Sequence, residues 1–320
     1  MSVKDNVLKI LENNKGQHFS GEEIAKELDV SRSAVWKAVK TLTKEGYNIV
    51  GINNKGYCML ENSDVITREE INKNLNKELR DKADIEVYKT ITSTNAVLKK
   101  MASEGAKEWK ILVAEEQTNG RGRLNRNFYS PSNSGIYMSI LLKPEVISTE
   151  ALFITTMAAV AVSEAIEKLT NVKTEIKWVN DVYLNKKKMA GILTEAISSI
   201  ESGRITDVII GVGLNFSISD FPEELANKAT SLFTSEKPSI TRNQLISEIW
   251  KLFLTIPTSD LVKVYKEKSL VLDKQVTFEQ AGRTYTGVAK EIGDKGQLLV
   301  LTDDGREKWL TAGEVSLTSW

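Results

Sequence analysis

The chain has 320 residues, enough for two or three domains, and its 43 basic and 43 acidic residues balance, so overall charge gives no argument for nucleic-acid binding. One cysteine, Cys58, excludes an internal disulfide, and one histidine, His18, excludes a His-rich metal site and disfavours Ser-His or Cys-His catalysis. With no N-terminal signal peptide and no apolar run near the ~20 residues of a membrane span, the sequence predicts a soluble cytoplasmic protein.

The first sixty residues combine three helical patterns with two short strand patterns. A capping box, Ser20 with Glu23, opens the second helix, and Ser31 caps a third helix whose outer face is basic. Runs at 47–52 and 57–60 then predict a two-stranded wing with a basic turn. This order predicts a winged helix-turn-helix that binds DNA, and the alternative is a small helical domain whose charge serves solubility only.

This predicted domain presents a set of polar and basic side chains to DNA. The predicted contacts are Arg32, Ser33, Trp36, Lys37, Lys40 and Lys55. The three lysines would mostly meet phosphates, whereas the three residues near the helix start are better placed to read base edges.

A second capping box, Thr67 with Glu70, predicts a short helix that links this domain to a larger one. Strand patterns follow at 84–88, 111–117, 135–142, 173–184, 189–198 and 205–211, and helical patterns follow Ser93, cover 148–169 and lie within 222–228 and 241–267. This mixture predicts an α+β domain with a mixed sheet and with helices on one face.

A basic loop, Gly120–Arg126, lies between two of the predicted strands. It reads Gly-Arg-Gly-Arg-Leu-Asn-Arg, so Arg121, Arg123 and Arg126 share it. Glycine lets the backbone approach a ligand closely, and arginine presents a forked donor set that suits carboxylate or phosphate. We interpret the loop as a mobile clamp for a small anion, and the alternative is a solvated basic hairpin.

Three further polar clusters interrupt the apolar pattern. Ser93, Thr94 and Asn95 form an ordinary helix N-cap and are also candidate ligand groups. The run 177–181, Lys-Trp-Val-Asn-Asp, either faces a site or forms a turn or β-bulge. The run 211–215, Gly-Val-Gly-Leu-Asn, ends a buried strand but lacks the third glycine and the helix of a dinucleotide-binding fingerprint.

These clusters, in this order, resemble the biotin–protein ligase family. The arginine loop is similar to the Gly-Arg-Gly-Arg-x-x-Arg adenylate loop of the family, and residues 177–181 are similar to its Lys-Trp-Pro-Asn-Asp motif. Residues 188–195 match the strand that follows, and residues 312–316 resemble the closing Gly-Gly-Glu-x-Ser. With the winged helix in front, almost the whole chain resembles members that are both ligase and repressor of the biotin operon.

The resemblance implies a central ligase domain, similar in fold to class II aminoacyl-tRNA synthetases, and a small C-terminal SH3-like β-barrel. The implied domains are 1–63 (winged helix-turn-helix), 64–82 (linker helix), 83–270 (ligase) and 271–320 (SH3-like). Short strand patterns at 275–278, 284–290 and 297–301, separated by glycine-containing turns, agree with the last domain.

The family implies a two-step reaction that uses ATP, Mg²⁺ and biotin. The biotin carboxylate attacks the α-phosphate of ATP, which gives biotinyl-adenylate and pyrophosphate. A lysine of the biotin carboxyl carrier protein of acetyl-CoA carboxylase then takes the biotinyl group. Adenylation requires positioning and charge neutralisation rather than a protein nucleophile, so a chain with one histidine can perform it. No metal-binding residues are predicted.

Residue roles are carried over from the family motifs. The implied catalytic residues are Lys177 and Arg123. The implied biotin-binding residues are Ser93, Thr94, Asn95, Gln117, Gly120, Arg121, Arg123, Lys177, Gly211 and Gly213. Those implied for ATP and the adenylate are Arg121, Arg123, Arg126, Phe128, Lys177, Asn180 and Asn215. The chain departs from the family pattern at Val179, where proline is usual, and at Phe128, where tryptophan is common.

The family also implies how the two functions communicate. Adenylate orders the arginine loop and favours a homodimer through the central sheet, which places two winged helices on palindromic operator DNA. Ligand ordering of a loop reduces the entropy cost of a dimer that uses the loop, so biotinyl-adenylate would be the corepressor. The alternatives are a ligand-sensing repressor without ligase activity, a ligase whose winged helix does not bind DNA, and a lipoate–protein ligase, whose Arg-Arg signature is absent.

Overall fold

The computed structural model describes residues 2–53, 55–60, 63–144, 151–198, 204–235 and 237–318. The chain forms two compact units, Met1–Ile66 with Ile240–Asn243, and Thr67–Ser239 with Gln244–Trp320. Within the described ranges, no helix combines the length and the apolar run that crossing a membrane requires. The beginning of the helix predicted at 148–169 and one residue of the predicted wing turn, Asn54, lie outside the described residues.

Three helices build the core of the first unit: α1 (Val3–Asn13), α2 (Gly21–Glu27) and α3 (Arg32–Lys44). Each begins after a serine, Ser2, Ser20 or Ser31, whose hydroxyl accepts a hydrogen bond from a backbone N–H of the first turn. These caps satisfy donors that a helix start otherwise leaves unpaired. The helices bury a common apolar core that includes Val7, Leu11, Ile24, Val35, Val39 and Leu42.

The wing consists of strands β1 (Ile49–Ile52) and β2 (Gly56–Met59), which pair antiparallel. Gly56 has a φ of +89°, and a Cβ there would lie 2.0 Å from the carbonyl oxygen of Phe19. Only glycine tolerates both this backbone conformation and this close approach. The structure therefore confirms the winged helix-turn-helix that the helix order and the turn predicted.

Two short helices, α4 (Arg68–Asn74) and α5 (Lys77–Lys82), open the second unit, and Thr67 and Asn76 cap them. The strands that follow are β3 (Asp84–Tyr88), β4 (Lys110–Ala114), β5 (Gly135–Leu142), β6 (Glu175–Lys177), β7 (Asp181–Leu184), β8 (Lys187–Ser198) and β9 (Ile205–Asn215). They form a seven-stranded sheet in the order β3-β4-β5-β9-β8-β7-β6. The pair β3–β4 is parallel and the other neighbours pair antiparallel, so the sheet is mixed, as predicted.

The remaining helices are α6 (Thr94–Ser103), α7 (Ala151–Thr170), α8 (Glu223–Ala226), α9 (Arg242–Thr255) and α10 (Thr258–Glu267). Helices α6 and α7 lie on opposite faces of the central sheet, so the prediction of helices on one face was wrong. The Ser139 hydroxyl on β5 donates a hydrogen bond to Asn95 Oδ1 of α6 at 2.6 Å. Ser139 and Leu193 of β8 both pair with Gly211 of β9, so they lie on the same face of the sheet. The next residue, Thr194, points to the other face and bonds Thr155 of α7 at 2.8 Å.

One strand of the sheet has the sequence pattern expected when helices cover both faces. Strand β5 is buried along almost its whole length, because helices or loops cover both of its sides. Strands that are buried on both faces have unbroken apolar runs rather than alternating patterns. The run 135–142 has this character, so it favours helices on both faces.

The strand predicted at 111–117 ends at Ala114, and two further strand boundaries differ from the prediction. The strand predicted at 173–184 is two strands, β6 and β7, joined by a turn at 178–180, and the peptide bond between Trp178 and Val179 is cis. The strand predicted to end at Gly211 continues to Asn215. These two further differences occur at the polar clusters 177–181 and 211–215, where the residue types that a binding site requires obscure the strand pattern.

The C-terminal strands form a second sheet in the same compact unit. They are β10 (Gln275–Gln280), β11 (Arg283–Ile292), β12 (Leu298–Thr302), β13 (Glu307–Leu310) and β14 (Val315–Leu317). All neighbours in the order β13-β12-β11-β10-β14 pair antiparallel. The turn before β12 reaches the central sheet, because the Trp178 indole N–H donates to the Gly296 carbonyl at 2.9 Å.

Candidate active site

One row of residues crosses the central sheet and forms the floor of a pocket. The register pairs Tyr137 on β5 with Gly213 on β9, and Gly213 with Gly191 on β8. It then pairs Gly191 with Asp181 on β7, and Asp181 with Lys177 on β6. Directly paired residues project to the same face of a sheet. Gly213 and Gly191 therefore leave a strip of the sheet without side chains, with Tyr137 on one side of it and the charged pair Asp181 and Lys177 on the other.

A pocket of about 450 Å³ lies over this strip. Its walls come from the start of α6, from the loop between β4 and β5, and from the β6–β7 hairpin. A Cβ on Gly213 would lie 2.6 Å from the Phe128 ring, and a Cβ on Gly211 would lie 2.1 Å from Asn95 Oδ1. Any larger residue at either position would displace a wall, so the glycines set the depth of the pocket.

The start of helix α6 forms a polar end wall. The backbone N–H and the hydroxyl of Thr94 both donate to Gln117 Oε1, at 2.9 and 3.2 Å. The Asn95 amide donates to a carbonyl and a carboxylate of β8, at 3.1 and 3.0 Å, and its oxygen accepts from Ser139. Because protein partners occupy both ends of this amide, Asn95 fixes the wall, while Ser93, Thr94 and Gln117 line the space beside it.

The β6–β7 hairpin provides the charged wall. The Asn180 amide donates to a backbone carbonyl of β8 at 2.7 Å, and its oxygen accepts from Arg123 at 2.9 Å. Lys188 Nζ lies 2.7 Å from Asp181 Oδ1. Lys177 lies opposite Asp181 across the hairpin. The run 177–181 therefore forms a turn and also lines the pocket. The two predictions for this motif, a turn and a site-facing segment, are both correct.

The arginine loop joins β4 to β5, as predicted, and contains a 3-10 turn at Arg123–Asn125. The Arg123 guanidinium donates to the Gly313 carbonyl at 2.7 Å, in addition to Asn180. Arg126 donates to Glu314 at 2.8 Å. Gly313 and Glu314 precede β14, so the C-terminal sheet contributes directly to the pocket wall and holds two arginines of the loop.

All but one of the predicted ligand-site residues line the pocket. Those on the wall are Ser93, Thr94, Asn95, Gln117, Arg121, Arg123, Arg126, Phe128, Lys177, Asn180, Gly211, Gly213 and Asn215. Gly120 lies behind the wall, where a Cβ would be 2.4 Å from the Phe128 carbonyl oxygen and 2.6 Å from the Ser130 hydroxyl. A glycine is required at this position because any side chain would clash with other residues of the loop.

Other residues of the wall were not predicted. They include Asp181, Tyr183, Lys188, Lys228 and Glu314. Asp181 belongs to the Lys-Trp-Val-Asn-Asp motif and Lys188 begins the next matched strand, so the sequence did contain a signal for these two. Lys228 and Glu314 come from distant segments, and only the tertiary fold brings them to the pocket.

The wall carries six cationic side chains and two carboxylates. The cations are Arg121, Arg123, Arg126, Lys177, Lys188 and Lys228, and the carboxylates are Asp181 and Glu314. Burial lowers the pKa of Lys177, and the charges of Asp181 and Glu314 partly offset this effect. Burial acts to raise the pKa of Glu314, but the hydrogen bond and charge of Arg126 bring it below the usual value. The excess of positive charge suits a ligand with several negative groups.

The first unit has its own cationic surface on helix α3 and the wing. The predicted DNA contacts are all exposed: Arg32, Ser33, Trp36, Lys37, Lys40 and Lys55. Trp36 is 50% exposed, and Lys40 Nζ lies 4.8 Å from the centre of its ring. A large aromatic side chain that is half exposed among cations is typical of a binding surface.

Sequence and structure comparisons find relatives of the whole chain and of its domains. The chain matches an HTH domain at residues 4–58, the Biotin/lipoate A/B protein ligase family at 87–215 and the Biotin protein ligase C terminal domain at 271–318. The bifunctional ligase/repressor BirA of Bacillus subtilis (strain 168) is 31% identical over 97% of this chain and 98% of the relative. The biotin--[acetyl-CoA-carboxylase] ligase of Mycobacterium tuberculosis is 30% identical over 72% of this chain and 88% of the relative.

Among solved structures, the biotin protein ligase from Aquifex aeolicus in complex with biotin and ATP is similar to this chain. Its TM-score is 0.59 at 30% sequence identity, and the match covers 74% of this chain and 99% of that chain. The Bacillus relative extends the similarity over the helix-turn-helix as well. The chain therefore belongs to the biotin–protein ligase family, in its group of bifunctional ligase/repressors.

Proposed function

We propose that the pocket joins biotin to AMP and then to a lysine of a carrier protein, and that the first unit represses transcription from operator DNA. One observation carries the enzymatic part. Lys177 and Arg123 line one cationic pocket, where Asn180 binds Arg123 at 2.9 Å and Gly191 and Gly213 leave part of the floor without side chains. A small anionic ligand fits such a floor, because its atoms can lie directly against the sheet backbone.

In the first step, a biotin carboxylate oxygen attacks the α-phosphorus of ATP. The bond from this phosphorus to its bridging oxygen breaks, and pyrophosphate leaves with the electron pair. The step forms and breaks P–O bonds without moving a proton, so the wall has to supply charge and position. We assign Lys177 to the carboxylate and α-phosphate oxygens, and Arg123 to closing the loop over the adenylate.

The two ends of the pocket suit the two ends of biotinyl-adenylate. Thr94 and Gln117 lie beside Ser93 at the polar end, where their donors and acceptors match a ureido ring. The bare backbone at Gly211 and Gly213 leaves room for the acyl chain. Phe128, Asn215 and Arg126 are the proposed contacts of the adenylate, and each lies on the same wall.

Magnesium enters this reaction as part of the Mg·ATP substrate. Mg²⁺ prefers oxygen ligands and is commonly bound through substrate phosphates with one or two carboxylates. The carboxylates on the wall, Asp181 and Glu314, are paired with Lys188 and Arg126. The phosphates of the substrate would therefore hold the ion.

In the second step, the ε-amine of a lysine attacks the acyl carbon of the adenylate. An amide forms, AMP leaves, and the nitrogen loses a proton. We propose the biotin carboxyl carrier protein of acetyl-CoA carboxylase as the protein that carries this lysine, because the Mycobacterium tuberculosis relative is named for that carboxylase.

A direct test incubates the full-length chain with labelled biotin, Mg·ATP and a carrier domain. We expect covalent label on the carrier, and release of pyrophosphate when the carrier is left out. A chain that binds biotin but releases no pyrophosphate would be a ligand-sensing repressor without ligase activity.

For the repressor function, we propose that bound biotinyl-adenylate orders the arginine loop and favours a homodimer through the central sheet. The dimer would present two winged helices to a palindromic operator. Gel shifts and sedimentation, each with and without biotin and ATP, test this coupling. An operator affinity and a mass that both stay the same when the ligands are added would contradict it.

A further inference from the structure

The turn between β6 and β7 carries two residues of the proposed reaction, and its middle is buried behind the pocket. Lys177 and Asn180 line the pocket, whereas Trp178 and Val179 between them are 2% and 4% exposed. Strand β6 has three residues and lies at one edge of the central sheet. An edge strand has a sheet partner on one side only, so its position also depends on what packs against its other side.

The segment at the end of α10 occupies the free side of β6. The Ile176 N–H donates to the Lys268 carbonyl at 2.7 Å, and the Leu270 N–H donates to the Ile176 carbonyl at 2.8 Å. These two bonds pair the middle residue of β6 with the chain that leads from α10 to the C-terminal sheet. The edge of the central sheet is therefore held from outside the sheet.

Tyr265 of α10 extends this support to the turn. Its hydroxyl donates to the Val179 carbonyl at 3.0 Å, and its side chain is buried. Burial raises the pKa of Tyr265, and the charge of Asp181 adds to this effect, so the hydroxyl keeps its proton and remains a donor. The Val179 carbonyl and the Asn180 nitrogen belong to one planar peptide group. The bond from Tyr265 therefore fixes the orientation of the peptide that leads into Asn180.

A second buried bond holds the other half of the turn. The Trp178 indole N–H donates to the Gly296 carbonyl at 2.9 Å, and the Gly296 N–H donates to the Gly293 carbonyl at 2.9 Å. Gly296 has a φ of +83°, and a Cβ there would lie 2.6 Å from Cγ2 of Thr156 on α7. The acceptor of the Trp178 bond thus belongs to a tight turn that packs closely against a helix.

We propose that Tyr265 is a positioning residue for Asn180, and Trp178 for Lys177, in the formation and retention of the adenylate. This inference rests on the proposed ligase function. Both side chains are buried and act through the backbone of the turn rather than on the substrates. Asn180 binds Arg123 at 2.9 Å, so a displaced turn would loosen the arginine loop and shift the Lys177 ammonium. Small displacements of positioned groups cost a reaction much of its rate.

The test compares the full-length chain with its Tyr265→Phe variant, which removes the hydroxyl and keeps the ring. We expect labelled biotinyl-adenylate to dissociate about tenfold faster. The KM for biotin should change less than about twofold, because the polar end of the pocket comes from α6 and the β4–β5 loop. Tyr88→Phe is the matched control, since the Tyr88 hydroxyl bonds Glu86 on β3, the strand at the other edge of the sheet.

A double variant separates positioning from stability. In an Asn180→Ala background, Tyr265→Phe should accelerate dissociation by less than about twofold further, because the tyrosine acts through that asparagine. A Tyr265→Phe variant that melts at lower temperature but retains the adenylate normally would overturn the proposal. The same would follow from an equal loss of retention in Tyr88→Phe, or from a full tenfold effect in the Asn180→Ala background.

Trp178→Phe tests the other bond and keeps the proposal open to refutation if Tyr265→Phe does not fold. We expect it to lower kcat for pyrophosphate release by about tenfold, because it frees the backbone next to Lys177. An unchanged kcat in this variant would contradict the role of Trp178 and of the turn. If the unaltered chain releases no pyrophosphate, the ligase function itself fails, and the positioning role fails with it.

Discussion

The two cationic regions of the molecule hold their charges in different ways. On helix α3 the side chains of Lys37 and Lys40 project into solvent. In the pocket, Arg123 and Arg126 donate hydrogen bonds to an amide, a carbonyl and a carboxylate, and Lys188 forms an ion pair with Asp181. Solvent-exposed charges suit a phosphate backbone, where release of counterions drives binding and orientation matters little. Fixed charges suit a reaction, because positioned groups stabilise developing charge without reorganising.

The largest expected effect comes from removing the charge at the centre of the pocket. Lys177→Met should lower adenylate synthesis by about a thousandfold, because it removes a half-buried ammonium from the reacting groups. Pyrophosphate release measures this loss. Lys173→Met is the control, since Lys173 is exposed on the approach to β6. Comparable loss in both variants would mean that the pocket charge has no special place in the reaction.

Loss of a fixed arginine should affect both functions. Arg123→Ala removes the hydrogen bonds to Asn180 and Gly313, and bonds to a charged group are worth about 1.5–3 kcal/mol. We expect labelled adenylate to dissociate about tenfold to a hundredfold faster, and operator binding with biotin and ATP to weaken. Arg283→Ala, at an exposed position of β11, is the control. Unchanged retention of the adenylate would count against the loop as a clamp.

A smaller and more selective effect is expected from the exposed lysines of helix α3. Lys37→Ala and Lys40→Ala should each weaken operator binding severalfold and reduce the slope of log affinity against log salt by about 1. Biotin transfer should stay the same. Lys9→Ala provides an exposed lysine on α1 as the control. If the salt slope does not change in either variant, these lysines do not contact phosphate.

The smallest expected effect is a change in pH dependence. Burial lowers the pKa of Lys177; the charges of Asp181 and Glu314 raise it, and those of Lys188 and Arg126 lower it further. A lysine is charged below its pKa, so adenylate synthesis should fall on the alkaline side at a pH below that of an ordinary lysine. Asp181→Asn removes a charge that raises this pKa, and the fall should move to still lower pH.

The pH profile of kcat/KM for ATP measures this shift. Asp84→Asn, on the edge strand β3, is the control. A profile that moves to higher pH in Asp181→Asn would show that the carboxylate does not support the Lys177 ammonium.

Local patterns in the sequence predict the first unit well. The serine caps at Ser20 and Ser31 and the apolar spacing of α3 are interactions within a few residues, so a linear reading captures them. The arginine loop was predicted for the same reason, because its charges and glycines are contiguous. The domain boundaries at 64, 83 and 271 stay predictions.

Features that depend on the register between strands could not be predicted from local sequence patterns. Gly191 contributes to the floor only because it pairs with Asp181 on one side and with Gly213 on the other. A single glycine in a strand can mark a bulge, a bend or the close approach of a ligand, and only its pairing partners show which of these applies. Lys228 and Glu314 reach the wall from separate segments, and no spacing rule links them to Lys177.

The bonds from Arg123 to Gly313 and from Arg126 to Glu314 join residues 190 and 188 positions apart. During synthesis on the ribosome, the floor and the motif at 177–181 are complete long before these partners exist. A nascent chain would therefore have a pocket in which Asn180 binds Arg123, but the C-terminal partners of the arginine loop would still be missing. Premature termination before Gly313 should give a protein that reaches the adenylate yet loses it to solvent, and such a fragment would consume ATP without labelling its target.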